Sequence, residues 1–178
     1  MKIVLINGVG GSGKDTLVLM CRDILGSEVV GNISTVDFVK EVATFCGWDG
    51  TKTPENRKFL SDLKKLLAEW DDVPTKKVIE AVDNFVDYLV LYGLWDAGIV
   101  FIHCREPEQI KKLVDEFNGN VTTLLIRRDA AEAVTQINDS DNSVLEYDYD
   151  YTIWNDSNLS CLRNEAMVFL RDCLGFNI

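Results

Sequence analysis

The sequence predicts a three-layer α/β/α protein with a mainly parallel five-stranded sheet and helices on both faces. Short apolar runs of strand length alternate with longer segments whose apolar residues recur every three or four positions, as in successive βαβ units. The segments 98–104 and 121–126 are predominantly apolar, which is typical of strands buried on both faces of a sheet. A chain of 178 residues is expected to form a single domain, 1–178, around one core.

Each predicted strand is a short apolar segment rich in β-branched side chains. The strands are expected at 2–7, 29–34, 98–104, 121–126 and 150–154. Each predicted helix combines helical spacing of apolar residues with a glycine after its end or a proline in its first turn. The helices are expected at 14–25, 37–46, 54–70, 74 to 92 or 94, 107–117, 129–137 and 158–174. The segment 138–149 is polar and acidic, which predicts a loop or mobile segment.

Composition excludes several classes of protein. The chain is 47% apolar and 26% charged, which is ordinary for a globular protein. No apolar run approaches the roughly 20 residues that span a bilayer, and the start of the sequence does not have the pattern of a secretion signal, so we expect a cytoplasmic protein. The net charge of −11 disfavours nucleic acid as a partner and leaves a small-molecule substrate.

Cysteine and histidine usage limits the chemistry further. The five cysteines show neither C-x-x-C spacing nor a nearby histidine pair, so we expect buried, reduced thiols rather than a zinc site or disulfides. They are Cys21, Cys46, Cys104, Cys161 and Cys173. His103 is the only histidine, which excludes any mechanism that needs two. A histidine at a strand end is usually a hydrogen-bonded structural residue, and we expect that role here.

The most informative segment is G-V-G-G-S-G-K-D-T at 8–16, which lies between the first strand and the first helix. Strand, glycine-rich turn, lysine and helix together form the context of a phosphate-binding P-loop. Glycines let several backbone N–H groups point into one concavity at the positive end of a helix. The predicted phosphate-binding residues are Gly8, Gly10, Gly11, Ser12, Gly13, Lys14, Asp15 and Thr16.

One position departs from the usual pattern of such loops. A serine or threonine normally follows the lysine and ligates Mg²⁺, but here Asp15 follows Lys14 and Thr16 comes one residue later. This argues against a GTPase-like switch or a motor. We expect Mg²⁺ to be bound near Asp15 and Thr16 largely through water, although Asp15 facing solvent is an alternative.

Basic residues follow the predicted strands, where the carboxyl ends of parallel strands form one edge of the sheet. Arg105 follows the third strand, and Arg127 and Arg128 follow the fourth. Guanidinium groups bind phosphate through paired hydrogen bonds, so their convergence fits phosphoryl transfer. The alternative is that each arginine pairs with a neighbouring acid, such as Glu106 or Asp129.

Other polar residues between the second and third strands have a simpler interpretation. Asp37 could contact a substrate or cap the helix that begins there. Lysines and arginines on amphipathic helices are usually solvated, which is the default for Lys40, Arg57, Lys64 and Lys65. The apolar stripe on the helix that begins at 74 is expected to face the core, with a homodimer interface as the alternative. The stripe comprises Val78, Ala81, Val82, Phe85, Leu89 and Tyr92.

The loop G-V-G-G-S-G-K-D-T resembles that of nucleoside monophosphate kinases. Its Gly-Lys-Asp-Thr ending resembles phage and bacterial deoxynucleoside monophosphate kinases in particular, and dephospho-CoA and phosphomevalonate kinases more loosely. Arg105-Glu106-Pro107-Glu108-Gln109 is similar to the Arg-x-x-x-Gln element of adenylate kinases, and Arg57 with Phe59-Leu60 resembles the acceptor-helix arginine of deoxynucleotide kinases. The segment 151–156 resembles the last strand and the loop beside the donor base, which includes Asn155.

This resemblance implies a P-loop NTPase fold with a small lid at 127–150 and a helical acceptor-binding insertion at 35–97. The implied reaction moves the γ-phosphate of ATP, with Mg²⁺, to a (deoxy)nucleoside monophosphate. The implied catalytic residues are Lys14, Arg105, Arg127 and Arg128. The implied acceptor-binding residues are Asp37, Lys40, Arg57, Arg105 and Gln109, and Asn155 joins the loop in binding ATP.

Two departures from the family pattern leave alternatives open. His103 stands where related kinases often have an acid, and no arginine occurs between Arg128 and Arg163. The alternatives are a P-loop kinase for another phosphorylated small molecule such as dephospho-CoA, a non-catalytic nucleotide-binding or sensing protein, and a structural interaction module.

Overall fold

The computed structural model of the chain describes residues 1–135 and 143–178. Five strands form one sheet in the order β2-β3-β1-β4-β5, and every neighbouring pair is parallel. The strands are β1 Lys2–Asn7, β2 Val30–Ser34, β3 Ile99–His103, β4 Thr122–Arg127 and β5 Tyr151–Trp154. All five predicted strands are confirmed, with bounds shifted by a residue or two.

Helices connect the strands, as the alternation predicts. They are α1 Lys14–Leu25, α2 Asp37–Phe45, α3 Pro54–Asp71, α4 Val73–Leu91, α5 Pro107–Glu116, α6 Asp129–Thr135 and α7 Leu159–Val168. Thr53 begins α3 by accepting a hydrogen bond from the Asn56 N–H at 3.2 Å, and Pro54 takes the first helical position. A single residue, Asp72 with φ 47°, separates α3 from α4.

Two segments differ from the prediction. The helix expected at 158–174 is α-helical only to Val168 and ends in one π-helical turn at Phe169–Cys173. The loop expected at 138–149 and the end of the helix expected at 129–137 fall partly on 136–142, outside the described residues. The described part of that loop contains a short 3₁₀ turn at Ser143–Glu146.

The core consists of two clusters, one on each face of the sheet. Val4 and Ile6 of β1 pack on one face with buried residues of α1 and α7. Leu5 points to the other face and packs with residues of α4 and α5. This alternation follows from the period of two in a strand, and it confirms the three-layer α/β/α arrangement.

The apolar stripe on α4 packs against the sheet through Val78, Val82 and Leu89, whereas Tyr92 beyond its end is exposed. By contrast, α3 has no fully buried residue along its 18 positions. Within the described ranges, no helix is both long and apolar enough to span a membrane.

The prediction that all cysteines are buried is wrong for three of them. Cys21 and Cys104 are buried, and burial raises the pKa of each thiol to about 12. Cys46, Cys161 and Cys173 are exposed, since each lies near a helix end that the sheet does not cover. All five are free thiols, as expected.

Candidate active site

The glycine-rich loop begins where β1 ends, in the middle of the sheet. Gly8 and Gly13 have positive φ angles of 148° and 106°. A Cβ at Gly8 would lie 2.3 Å from the Ile126 carbonyl oxygen, and one at Gly13 would lie 2.3 Å from Asn155 Nδ2. Both positions therefore need glycine, because the loop turns tightly against β4 and against the segment after β5.

Lys14 begins α1 and bends back over the loop. Its Nζ donates hydrogen bonds to the carbonyl oxygens of Gly8 at 2.5 Å and Val9 at 2.9 Å. These carbonyls hold the ammonium over the concavity of the loop, at the positive end of α1. An anion bound in the loop would meet both the ammonium and the helix terminus.

The loop opens on a cavity of about 500 Å³. The cavity is lined by the loop and the first turn of α1, by Arg128 and Asn155, and by residues 157–159. Ser12 is fully buried, and its Oγ is the one buried side-chain polar atom without a hydrogen-bond partner in the part of the chain that the structure describes. A glycine cradle, a lysine and an adjoining cavity match the needs of a bound polyphosphate.

Asp15 and Thr16 lie in the first turn of α1, where the sequence predicts Mg²⁺. The Asp15 side chain is 90% exposed. In residues 1–135 and 143–178, no group of three or more acidic, histidine or cysteine side chains could hold a metal. The residues present therefore fit an ion whose ligands are mostly phosphate oxygens and water.

Two asparagines hold the loop in place. Asn155 follows β5 and donates from Nδ2 to the Ser12 carbonyl at 2.8 Å. Asn7 is buried at the end of β1, and its Oδ1 accepts the Gly8 N–H at 2.8 Å. Its Nδ2 donates to the Arg105 carbonyl at 3.1 Å and to the Tyr149 hydroxyl at 2.6 Å. Asn7 was not predicted as a site residue, although a polar residue ending a buried strand is a usable signal.

The network around Asn7 couples three segments of the chain. The Tyr149 hydroxyl accepts from Asn7 and donates to the Val144 carbonyl at 2.9 Å. Burial raises the pKa of Tyr149 to about 12, so the hydroxyl keeps its proton near neutral pH. The start of the loop, the Arg105 turn and the segment before β5 are thus joined through one buried side chain.

The two arginines after β4 have different environments. Arg127 donates to both carboxylate oxygens of Glu132, at 2.9 and 2.6 Å, and stacks on the Trp154 ring at 4.2 Å. Its pairing with an acid matches the alternative left open above, with Glu132 as the partner. Arg128 is oriented toward the loop, and its Nη1 lies 3.5 Å from the Gly11 carbonyl oxygen. Of the two, Arg128 lines the cavity.

A second polar cluster lies at the same edge of the sheet, where the strands have their carboxyl ends. It lies on the side away from β4 and β5, between β2, β3 and α3. Lys64 of α3 donates to Glu106 Oε2 at 2.7 Å and to Thr35 Oγ1 at 3.2 Å. Its side chain is only 14% exposed, so the expectation of a solvated lysine is wrong. Arg57 lies seven positions before Lys64 but is exposed, so the spacing of basic residues on α3 gave no signal of this contact.

Glu106 is charged in this cluster. Burial alone would raise the pKa of its carboxyl, but the Lys64 ammonium, a backbone hydrogen bond and the Arg105 charge outweigh that effect. The pKa of Glu106 therefore lies below its usual value, and the carboxylate stays ionised at neutral pH.

Three other predicted acceptor residues already have partners. Asp37 accepts the Ser34 N–H at 2.7 Å and pairs with Lys40 at 3.4 Å, and it does not cap α2, which begins after Val36. Gln109 donates to Thr75 Oγ1 at 3.4 Å. Arg57 lies on the exposed side of α3.

His103 is the last residue of β3 and lies between the glycine-rich loop and the Lys64 cluster. Its Nε2 lies 2.8 Å from Asn32 Oδ1 and 3.9 Å from Asp15 Oδ1. Burial lowers the pKa of His103 by more than Asp15 raises it. This is the hydrogen-bonded structural position expected for the residue, which is neutral at physiological pH.

No family model and no curated protein sequence matches the chain. Among solved structures it is similar to the APS kinase of Mycobacterium tuberculosis, with 12% identity, 96% of both chains covered and a TM-score of 0.43. It is also similar to the thymidylate kinase of Ehrlichia chaffeensis, with 15% identity, 95% and 98% covered, and a TM-score of 0.45. The shikimate kinase of Bacteroides thetaiotaomicron shares 13% identity over 98% and 99%, with a TM-score of 0.46. The three-layer α/β/α fold itself follows from the parallel sheet and the core clusters on its two faces, not from these likenesses.

Proposed function

We propose that this protein is a phosphotransferase that moves the γ-phosphate of ATP to a (deoxy)nucleoside monophosphate. One observation supports this most strongly. The glycine-rich loop with Lys14 and the cluster containing Lys64 and Glu106 share one edge of the sheet, with the Arg105 turn joined to the loop through Asn7. Phosphoryl transfer needs a site that holds the donor phosphates and, beside it, a charged site for the acceptor.

On the donor side, the loop N–H groups would cradle the ATP phosphates and Lys14 would follow the transferred group. Arg105 and Arg128 would stabilise charge on that group, and Arg127 would join them only after leaving Glu132. Asp15 and Thr16 would lie beside a bound Mg²⁺, which would supply charge neutralisation for the donor phosphates.

On the acceptor side, the helices of the insertion 35–97 would hold the monophosphate. Arg57 and Lys40 would bind its phosphate together with Lys64, and Asp37 and Gln109 would contact its sugar or base. The proposal that the acceptor is a nucleotide rests on a resemblance to nucleotide kinases. The residues that resemble them are the loop ending and Arg105 with Gln109. The lid proposed at 127–150 lies partly outside the described residues.

A second candidate is a nucleotide-binding or sensing protein that does not transfer phosphate. The Arg127–Glu132 pair favours it, because a guanidinium held by two hydrogen bonds to a carboxylate contributes no positive charge to a moving phosphoryl group. This protein would bind ATP without releasing ADP when an acceptor is added.

The test is ADP release from Mg·ATP with each of the eight common ribo- and deoxynucleoside monophosphates and with dephospho-CoA. Strong stimulation by one nucleotide, lost in Lys14→Ala, supports the proposal and identifies the acceptor. Stimulation by dephospho-CoA alone would show that the acceptor is another phosphorylated small molecule and not a nucleoside monophosphate. ATP binding without stimulation by any acceptor supports the sensing protein.

A further inference from the structure

In the Lys64 cluster the anionic partner of the lysine is a carboxylate of the chain itself. Glu106 Oε2 lies 2.7 Å from Lys64 Nζ, and the neighbouring Arg105 adds a second positive charge. Glu106 is the residue before α5, where side chains often cap the helix, yet its carboxylate makes no capping hydrogen bond. The side chain is directed instead to the lysine.

We propose that Glu106 occupies the place of the acceptor's phosphate in the unliganded protein, and that a phosphate monoester binds by displacing this carboxylate from Lys64. The inference rests on the proposed function and adds a charge requirement to it. The occupant that leaves has one negative charge, whereas a phosphate monoester has between about 1.5 and 2 at neutral pH. Neutral or monoanionic acceptors would compete poorly for Lys64.

The two partners differ in their freedom to move. Lys64 is only 14% exposed and is also held by Thr35, a buried residue that follows β2. The Glu106 side chain is 48% exposed, so it can turn into solvent with little rearrangement. The lysine therefore stays in place while its anionic partner is exchanged. An ammonium has three N–H donors, and a phosphate offers more acceptor oxygens than a carboxylate.

The next lysine along α3 provides a matched control. Lys65 and Glu69 form an exposed pair at 3.9 Å on the same helix, with side chains 78% and 65% exposed. Such pairs contribute little and occupy no enclosed site. Lys65→Met and Glu69→Gln change the net charge as Lys64→Met and Glu106→Gln do, but away from the cluster.

The experiment measures the affinity of inorganic phosphate by calorimetry, in the presence of ADP and Mg²⁺ to fill the loop. Glu106→Gln is expected to bind phosphate about tenfold more tightly than the natural sequence, and Lys64→Met about tenfold more weakly. The double variant should behave like Lys64→Met, and both control variants should stay within about twofold. Phosphate bound elsewhere contributes equally to every variant, so only the differences between variants count.

If Glu106→Gln binds phosphate with unchanged or weaker affinity, the pair only attaches α3 to the sheet edge and the proposal is wrong. Thermal unfolding of each variant separates this outcome from loss of the fold. Acceptor kinetics give a second measurement, in which Glu106→Gln should lower the acceptor KM. Absence of phosphotransfer with the predicted phosphate affinities intact would count against the proposed function and leave the exchange at Lys64 supported.

Discussion

The two sides of the sheet edge are built in opposite ways. The proposed donor side is one continuous segment, 8–16, whose backbone is held by hydrogen bonds to Asn7 and Asn155. The proposed acceptor side consists of side chains from separate elements, namely Thr35 after β2, Lys64 of α3 and Glu106 before α5. Backbone groups bind phosphate without regard to what is attached to it, whereas side chains from several elements can distinguish whole substrates.

The two sides also differ in how deeply their residues are buried. Asn7 and Ser12 are at most 1% exposed, whereas α3 has no fully buried residue. A rigid donor site and a more adaptable acceptor site suit a reaction in which the donor is constant and the acceptor must be selected. The following changes test this contrast, beginning with the largest expected effect.

Lys14→Ala should break the donor side. Loss of a charge that follows the transferred group should lower kcat by at least about 10²-fold, measured as acceptor-dependent ADP release. Lys65→Ala removes an exposed lysine of α3 and should leave the rate within about twofold. Turnover close to normal in Lys14→Ala would contradict the proposed mechanism.

Gly13→Ala should damage the donor side through its backbone. The φ of 106° and the 2.3 Å approach to Asn155 Nδ2 require the loop to shift and break the Asn155–Ser12 hydrogen bond. We expect a loss of about 2 kcal/mol in the free energy of unfolding, measured by urea denaturation. Gly10→Ala in the same loop is the control, since a Cβ there meets nothing within 4 Å. Equal losses in both variants would show that the loop is not held as described.

Arg57→Ala should affect only the acceptor side. Removal of one phosphate-binding charge is expected to raise the acceptor KM by about tenfold, with kcat and the KM for ATP changed by less than about threefold. Steady-state kinetics with each substrate varied in turn make the distinction. A fall in kcat at unchanged KM would place Arg57 in the transfer step instead.

His103 lies between the two sides and should have the smallest effect. Burial lowers its pKa from the usual 6.5, so the unfolded chain binds a proton more readily than the folded one. Stability contributed by the neutral ring is present above about pH 7 and is lost as the pH falls toward the lower folded pKa. The melting temperature should therefore fall less in His103→Gln than in the natural sequence when the pH is lowered from about 7.5 to about 5.5. These two pH values lie roughly one unit on either side of the usual pKa of histidine. Parallel curves would show that the ring does not resist protonation.

Much of the fold could be predicted from the sequence because its signals are local. The strands are short and apolar, and α3 begins at Thr53 and Pro54 because capping chemistry depends on neighbouring residues. The glycine-rich loop is local for the same reason. Lys14 bonds to carbonyls five and six positions before it, and the motif itself is contiguous, so the segment 8–16 alone indicates a phosphate site.

The parts that the sequence did not indicate depend on residues far apart in the chain. Lys64 meets Glu106 at a separation of 42 positions, and Asn7 meets Tyr149 at 142. Arg127 was predicted to bind phosphate, with pairing to a neighbour such as Asp129 as the alternative, and it pairs instead with Glu132, five positions along the chain. Which acid an arginine meets depends on packing that no single stretch of sequence specifies.

The exposed position of α3 bears on how such a protein could change its substrate. A helix whose 18 residues leave none fully buried can accept substitutions on its edge-facing side with little effect on the two core clusters. The loop and its asparagines allow no such variation, since Gly8 and Gly13 are fixed by close backbone and side-chain contacts. Divergence toward a new acceptor would therefore accumulate on α3, while the loop stayed the same.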